Sequence, residues 1–195
     1  MSRRIHILGA AGSGVTTLGR ALSEALNVQL LDTDDFYWKQ TPVPYSEKTT
    51  VPERLIAMRQ ACEGRDWIIS GSLMGWGEEL VEDADLLLFV YTPAALRMKR
   101  LKEREIARYG DRIREGGDMY LTHECFMGWA SRYDNPRFDG RSRKNHLRWI
   151  KKMGLPVAHL DGRMSVSQLT RHALTVLQHR SAFEQLDART PILQL

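Results

Sequence analysis

The chain of 195 residues is 43% hydrophobic and 27% charged, which excludes a disordered chain and leaves room for one full domain with a small lid, not two large domains. Its formal net charge is +4, and no apolar run approaches the roughly 20 residues of a membrane-spanning helix, so no membrane partner is expected. The charge is uneven, since residues 97 to 152 hold 16 of the 28 Lys and Arg but 8 of the 24 Asp and Glu. This basic stretch reads as an anion-binding element; it lacks an aromatic-basic RNA signature, zinc spacing or a separate basic tail, so nucleic acid is not an expected partner.

Met1-Ser2-Arg3-Arg4 leads straight into a strand-like run, with no signal peptide pattern, and a cytoplasmic location is expected. That first strand covers Arg3 to Leu8, and a helix follows with Leu18, Ala21, Leu22, Ala25 and Leu26 on one face. Short apolar runs at 28–31, 67–70, 86–91 and 157–160 predict four more strands. Between them the spacing predicts helices over 52–63, 93–108, 118–133 and 142–153, and a last helix after Ser165 as N-cap. Strands alternating with helices predict an α/β fold of three layers, α/β/α, around a five-stranded parallel sheet. Residues 1–180 form a single domain in this reading, with an acceptor-binding region at about 33–66 and an arginine-rich helical lid at about 97–152. The tail, 181–195, ends on Pro191-Ile192-Leu193-Gln194-Leu195, which leaves open packing on the body or on a second copy in a homodimer.

Ligands of such sheets gather at the C-terminal ends of the strands, where Gly9, Asp32, Gly71 and Thr92 fall; Asp85 precedes its strand and belongs to the opposite edge. Cys62 and Cys125 lie in separate helical patterns without CxxC or Cys/His spacing and read as core thiols, not as metal ligands.

The most specific pattern is Gly9-Ala10-Ala11-Gly12-Ser13-Gly14-Val15-Thr16-Thr17 between the first strand and first helix. Set against the Walker A pattern GxxxxGK[ST], it keeps both glycines, adds Gly12, and places Thr16 at the hydroxyl position that binds Mg²⁺; the lysine alone is replaced, by Val15. Glycines let successive backbone N–H groups converge on a phosphate, and the helix N-terminus adds partial positive charge. Gly9, Gly12, Ser13, Gly14, Val15, Thr16 and Thr17 are therefore the expected nucleotide-binding residues, with ATP or another nucleoside triphosphate and Mg²⁺ as cofactors.

With this loop, five short strands and arginines at 97, 100, 104 and 108, residues 3 to 180 resemble the P-loop kinases of the adenylate kinase and shikimate kinase type. They also resemble a subgroup of adenylate-kinase-related proteins whose loop reads GxSGSGxTTLG without the lysine. The resemblance implies a P-loop NTPase fold and a phosphotransferase acting on a small acceptor. A shikimate-kinase-like D-x-D is matched by Asp32 and Asp34, which implies Asp32 toward Mg²⁺ and acceptor, and Asp34 as the base that takes the acceptor's proton. Capping of the next helix is the other use of such residues. Phe36, Tyr37 and Trp38 read as a pocket wall or as core, and Arg54 or Arg59 as a ligand for an acidic substrate group. Gly71 and Ser72 occupy the position of a glycine-rich acceptor loop, and the D-G-F-P-R pattern of adenylate kinases is missing there.

Arg97, Arg100, Arg104 and Arg108 share one helix face, and four like charges in a row call for an acidic partner. The resemblance makes Arg100 and Arg104 lid arginines that neutralise the transferring phosphoryl group, with Arg132, Arg141 and Arg143 as further matches. Lys39 and the lid arginines are the available stand-ins for the missing loop lysine, and the competing functions are a binding module that has lost chemistry with it and a nucleoside-monophosphate kinase.

Overall fold

The computed structural model describes residues 3–187. In chain order the elements are β1 (Arg4–Gly9), α1 (Val15–Leu26), β2 (Gln29–Asp32), α2 (Thr33–Tyr37), α3 (Val51–Cys62), β3 (Trp67–Ser70), α4 (Glu78–Val81), β4 (Leu86–Tyr91), α5 (Ala94–Tyr109), α6 (Tyr120–Ser131), α7 (Arg143–Met153), β5 (Val157–Asp161) and α8 (Val166–Asp187), with short 3₁₀ turns at Gly110–Ile113 and Arg132–Asp134. The last helix runs on into the stretch read from sequence as a tail, and the terminal Pro191 to Leu195 run lies outside the described residues.

All five strands are parallel, in the order β2-β3-β1-β4-β5. Apolar runs make the three central strands, β3, β1 and β4, because both of their faces must be covered, whereas the edge strands β2 and β5 carry polar residues and are only partly buried. Alternation then divides the core into two layers. Ile5 and Ile7 face α1 and α8 through Leu18, Leu22, Leu169 and Ala173, while Leu8, Ile69 and Phe89 face α3 and α7 through Met58, Trp149 and Ile150. Each fully buried Ile or Leu contributes about 1.5–3 kcal/mol, so the sheet's interior holds most of the favourable energy and the loops at its rim are free to vary. In register, Ile7 pairs with Ser70, Ser70 with Asp32, Gly9 with Val90 and Tyr91 with Asp161, so Gly9, Asp32 and Gly71 open on one edge. Asp85 is at the other edge, where its Oδ2 accepts the Arg4 N–H at 2.8 Å.

Helix ends follow local chemistry. The Thr50 hydroxyl accepts from the Glu53 N–H and the Glu53 carboxylate accepts from the Thr50 N–H, a capping box that starts α3 at Val51. The helix expected over 118–133 is shorter because Arg112 holds Asp118, with Nη2 2.6 Å from Oδ2, and residues 132–134 tighten into a 3₁₀ turn. Cys125 on this helix is exposed, not in the core as its helical pattern suggests, and Cys62 is half-buried.

His6 lies inside β1, fully buried, and its Nε2–H donates to the Gly71 carbonyl at 2.9 Å. Burial lowers its pKa to about 4, against an ordinary value near 6.5. His146 on α7 is also buried; burial, then the charges of Arg141 and His6, lower it to about 3. Below pH 6.5 the unfolded chain binds protons that these rings refuse, so stability falls as pH drops from about 6.5 toward 4, by up to about 1.4 kcal/mol per pH unit for each histidine. Thermal melts from pH 7.5 to 4.5 should show this fall beginning near 6.5, and His6→Gln should shrink it.

Candidate active site

The loop between β1 and α1 turns on Gly12 (φ 77°) and Gly14 (φ 101°), in the left-handed region that costs glycine nothing. A Cβ on Gly12 would sit 2.7 Å from the Arg97 carbonyl oxygen, so the loop also packs too tightly there for any side chain. Gly14 is the N-cap of α1 and offers no capping side chain, and the first turn carries no acidic residue, which leaves the helix's leading N–H groups and their partial positive charge for an external anion. Ser13 Oγ is buried without a hydrogen-bond partner, while the Ser13 carbonyl accepts from the Thr92 hydroxyl at 3.0 Å. These features fit a phosphate group. Thr16 is half-buried and Thr17 exposed at the same turn. Val15 is not at the surface: only 8% exposed, it joins Ile5, Ile7 and Leu18 in the core.

A cleft of about 190 Å³ opens beside this loop, lined by Gly14, Thr17, Arg100, Gly162, Met164 and Leu169. Arg100 donates from Nη1 to the Gly162 carbonyl at 2.9 Å. The structure thus places Arg100 between the phosphate loop and the β5–α8 turn, and not with Asp34.

The three carboxylates after β2 have different environments. Asp32 caps α2, its Oδ1 accepting the Asp34 N–H at 3.1 Å, which is the alternative use that the sequence leaves open. Asp34 and Asp35 project from the first turn of α2. Asp34 reaches solvent within a cleft that is otherwise walled by protein, and this desolvation, then the Asp32 charge, raise its pKa above the usual carboxylate value; Arg141 and Arg104 act in the opposite sense. Arg104 is the member of the sequence-predicted arginine pair within electrostatic reach of Asp34, and its guanidinium is held by Glu105 Oε1 at 2.8 and 3.1 Å.

Arg141 appears from sequence as one of several further matches, and the structure singles it out. Its guanidinium lies 5.3 Å from the Trp129 ring centre, burial disfavours its charge, and Asp34 supports that charge most strongly. Among the described residues neither Arg141, Asp34 nor Asp35 forms an ion pair. No periodicity signals this residue, because it precedes α7 in a loop.

Other sequence-predicted residues turn to framework uses. Arg54 is buried, stacked 3.9 Å from the Tyr37 ring centre and 5.1 Å from that of Trp76, and it donates to the Thr49 and Thr50 carbonyls. Gly71 (φ 113°) passes so close to Thr33 that a Cβ would fall 1.8 Å from the Thr33 hydroxyl. Ser72 points inward, its hydroxyl 3.2 Å from His146 Nε2, whose Nδ1 is 2.9 Å from the Tyr133 hydroxyl. Its hydroxyl therefore ties the loop after β3 to α7.

No family model matches the chain. It is 38% identical over 178 residues to the uncharacterized protein YqaC of Bacillus subtilis (strain 168), covering 91% of this chain and 98% of that one. A cytidylate kinase of Archaeoglobus fulgidus is 27% identical over 129 residues, 57% of this chain and 70% of the kinase. A solved gluconokinase from Sinorhizobium meliloti shares the fold with a TM-score of 0.54 at 15% identity, over 96% of this chain and 98% of that one. Among the described residues no helix is long and apolar enough to cross a membrane.

Proposed function

Because this chain belongs to the YqaC family and has the fold of the P-loop kinases, we propose that it is an ATP-dependent phosphotransferase whose acceptor is a hydroxyl on a small molecule. The observation that carries this reading is the pairing, on one sheet edge, of an anion cradle with an unpaired carboxylate. Gly12 to Thr17 hold the nucleotide phosphates, and the cleft lined by Arg100, Met164 and Leu169 takes the base. Mg²⁺ bound with phosphates needs one or two protein oxygens, which Thr16 and Asp32 supply. The metal would offset phosphate charge. Asp34 accepts the acceptor's hydroxyl proton, and Arg141, with no anion of its own among the described residues, neutralises charge on the transferring group together with Arg104.

Val15 gives specific support to a second reading, a nucleotide- or phosphate-binding module without turnover. It fills the lysine position with a buried core side chain, and loss of such a contact commonly costs about 10²-fold or more in rate. The test combines ligand-linked melting with ADP release. Mg-ATP at 100 times its Kd should raise Tm by about 5 to 10 °C. Under the phosphotransferase reading the natural protein releases ADP when an acceptor is present, and Val15→Lys does not improve it. Turnover that appears only in Val15→Lys would favour the binding module, and no Mg-ATP shift at millimolar concentration would remove the nucleotide site altogether.

A further inference from the structure

We infer that the acceptor is an uncharged ring-bearing polyhydroxyl compound, a nucleoside or a sugar, in preference to the corresponding phosphate ester; this rests on the phosphotransferase reading for the identity of the site. The observation is a second cleft, of about 210 Å³, beside α2. Asp34 and Asp35 enter it from one side, and Trp38, Lys39 and Tyr45 from a loop that leaves α2 and returns to it. That return is fixed by backbone pairing: the Lys39 N–H donates to Glu47, the Thr49 N–H donates to Tyr37, and Trp38 bridges Lys48. The turn brings the Tyr45 ring edge-on to Trp38, with centroids 5.7 Å apart, and holds Tyr45 at φ 62°, a conformation bulky residues rarely adopt.

The charge lining this cleft is unfavourable to an anion. Its two carboxylates have no ion-pair partner among the described residues, and its one lining cation, Lys39, already faces Glu47 at 3.5 Å. Two of the arginines around it are engaged elsewhere, whereas Arg141 and Arg108, whose charge reaches Tyr45, form no ion pair among the described residues. Arg54, behind Tyr37, donates to two carbonyls, and Arg112 donates to the Pro42 carbonyl and is paired with Asp118. Arg141 and Arg104 act on Asp34, whereas Asp35 has Arg20 as its opposing charge and Asp32 as its like neighbour. A phosphate ester placed here would meet like charge at Asp35. Hydroxyl groups would instead donate to carboxylates that lack partners, and the aromatic faces would cover a sugar's C–H face or a base.

The test is calorimetric titration of the full chain, saturated with a non-hydrolysable Mg-ATP analogue, with adenosine, AMP, D-glucose and D-glucose 6-phosphate. The expected result is that one uncharged compound binds at least about tenfold more tightly than its phosphate ester, and that Asp35→Asn weakens it by about tenfold or more through the loss of a charge-assisted hydrogen bond. The adenosine and glucose arms distinguish nucleoside from sugar. Equal or tighter binding of AMP or D-glucose 6-phosphate would overturn the inference, as would no binding of either uncharged compound at about 10 mM, beyond the weakest useful affinity. ADP release with Mg-ATP and the bound compound is measured separately. Binding in the expected order without ADP release would refute the phosphotransferase reading and leave the ligand class of the cleft standing.

Discussion

Asp34→Asn is expected to lower turnover about 10²- to 10⁴-fold, the usual contribution of a positioned general base. The substitution keeps the shape of the side chain and the N–H that Asp32 caps, so α2 keeps its start. What is lost is the capacity to take a proton. Asp34 suits that task because desolvation and the Asp32 charge raise its pKa, while Arg141 and Arg104 act in the opposite sense. In the natural protein the rate should therefore fall as pH drops through a value above the ordinary carboxylate range, and this acidic limb should vanish in the variant. Because the phosphate loop is a separate structure built on β1 and α1, nucleotide affinity should change only a few fold, less than about 1 kcal/mol, which melting with Mg-ATP will report. Unchanged turnover would remove Asp34 from the mechanism.

The sheet was readable in the sequence because burial on both faces leaves a plain mark: the runs at 67–70 and 86–91 coincide with β3 and β4, and the glycine loop falls where β1 ends. Side-chain destinations were less readable. Arg97, Arg100 and Arg104 follow one another at helical spacing, yet one is buried against Asp134, one donates to Gly162 and one is held by Glu105. Spacing fixes a direction from the helix axis, whereas the partner is set by which loop folds over that turn. The same holds for Ser72, whose neighbour His146 lies 74 residues away, and for Arg141, which has no periodic context. His6 was hidden in an apolar run because a neutral buried ring with one hydrogen bond behaves there much as an apolar residue does.

Asp134→Ala is expected to lower stability by about 3 kcal/mol, the low end for orphaning a buried charge because Asp134 itself keeps 31% of its side-chain exposure. For a chain of this length that is a fall in Tm of about 6 to 12 °C. Arg97 has no exposed surface, so without the carboxylate 2.7 Å from its Nη2 its charge is left with the Thr92 and Ala130 carbonyls and the Tyr133 ring, 5.0 Å from its guanidinium carbon. If the buried charge is the cause, Arg97→Met combined with Asp134→Ala should be more stable than Asp134→Ala alone, since the double variant removes the uncompensated ion; a double variant that is less stable would assign the cost to lost hydrogen bonds instead. The consequence reaches the nucleotide site by a short route. Arg97 Nε–H donates to the Thr92 carbonyl, the Thr92 hydroxyl donates to the Ser13 carbonyl, and the Arg97 carbonyl abuts Gly12, so the residue that anchors α6 and the following turn also braces the phosphate loop. The Mg-ATP-dependent rise in Tm should accordingly be smaller in Asp134→Ala than in the natural chain, and an undiminished rise would show that the loop keeps its shape without this brace.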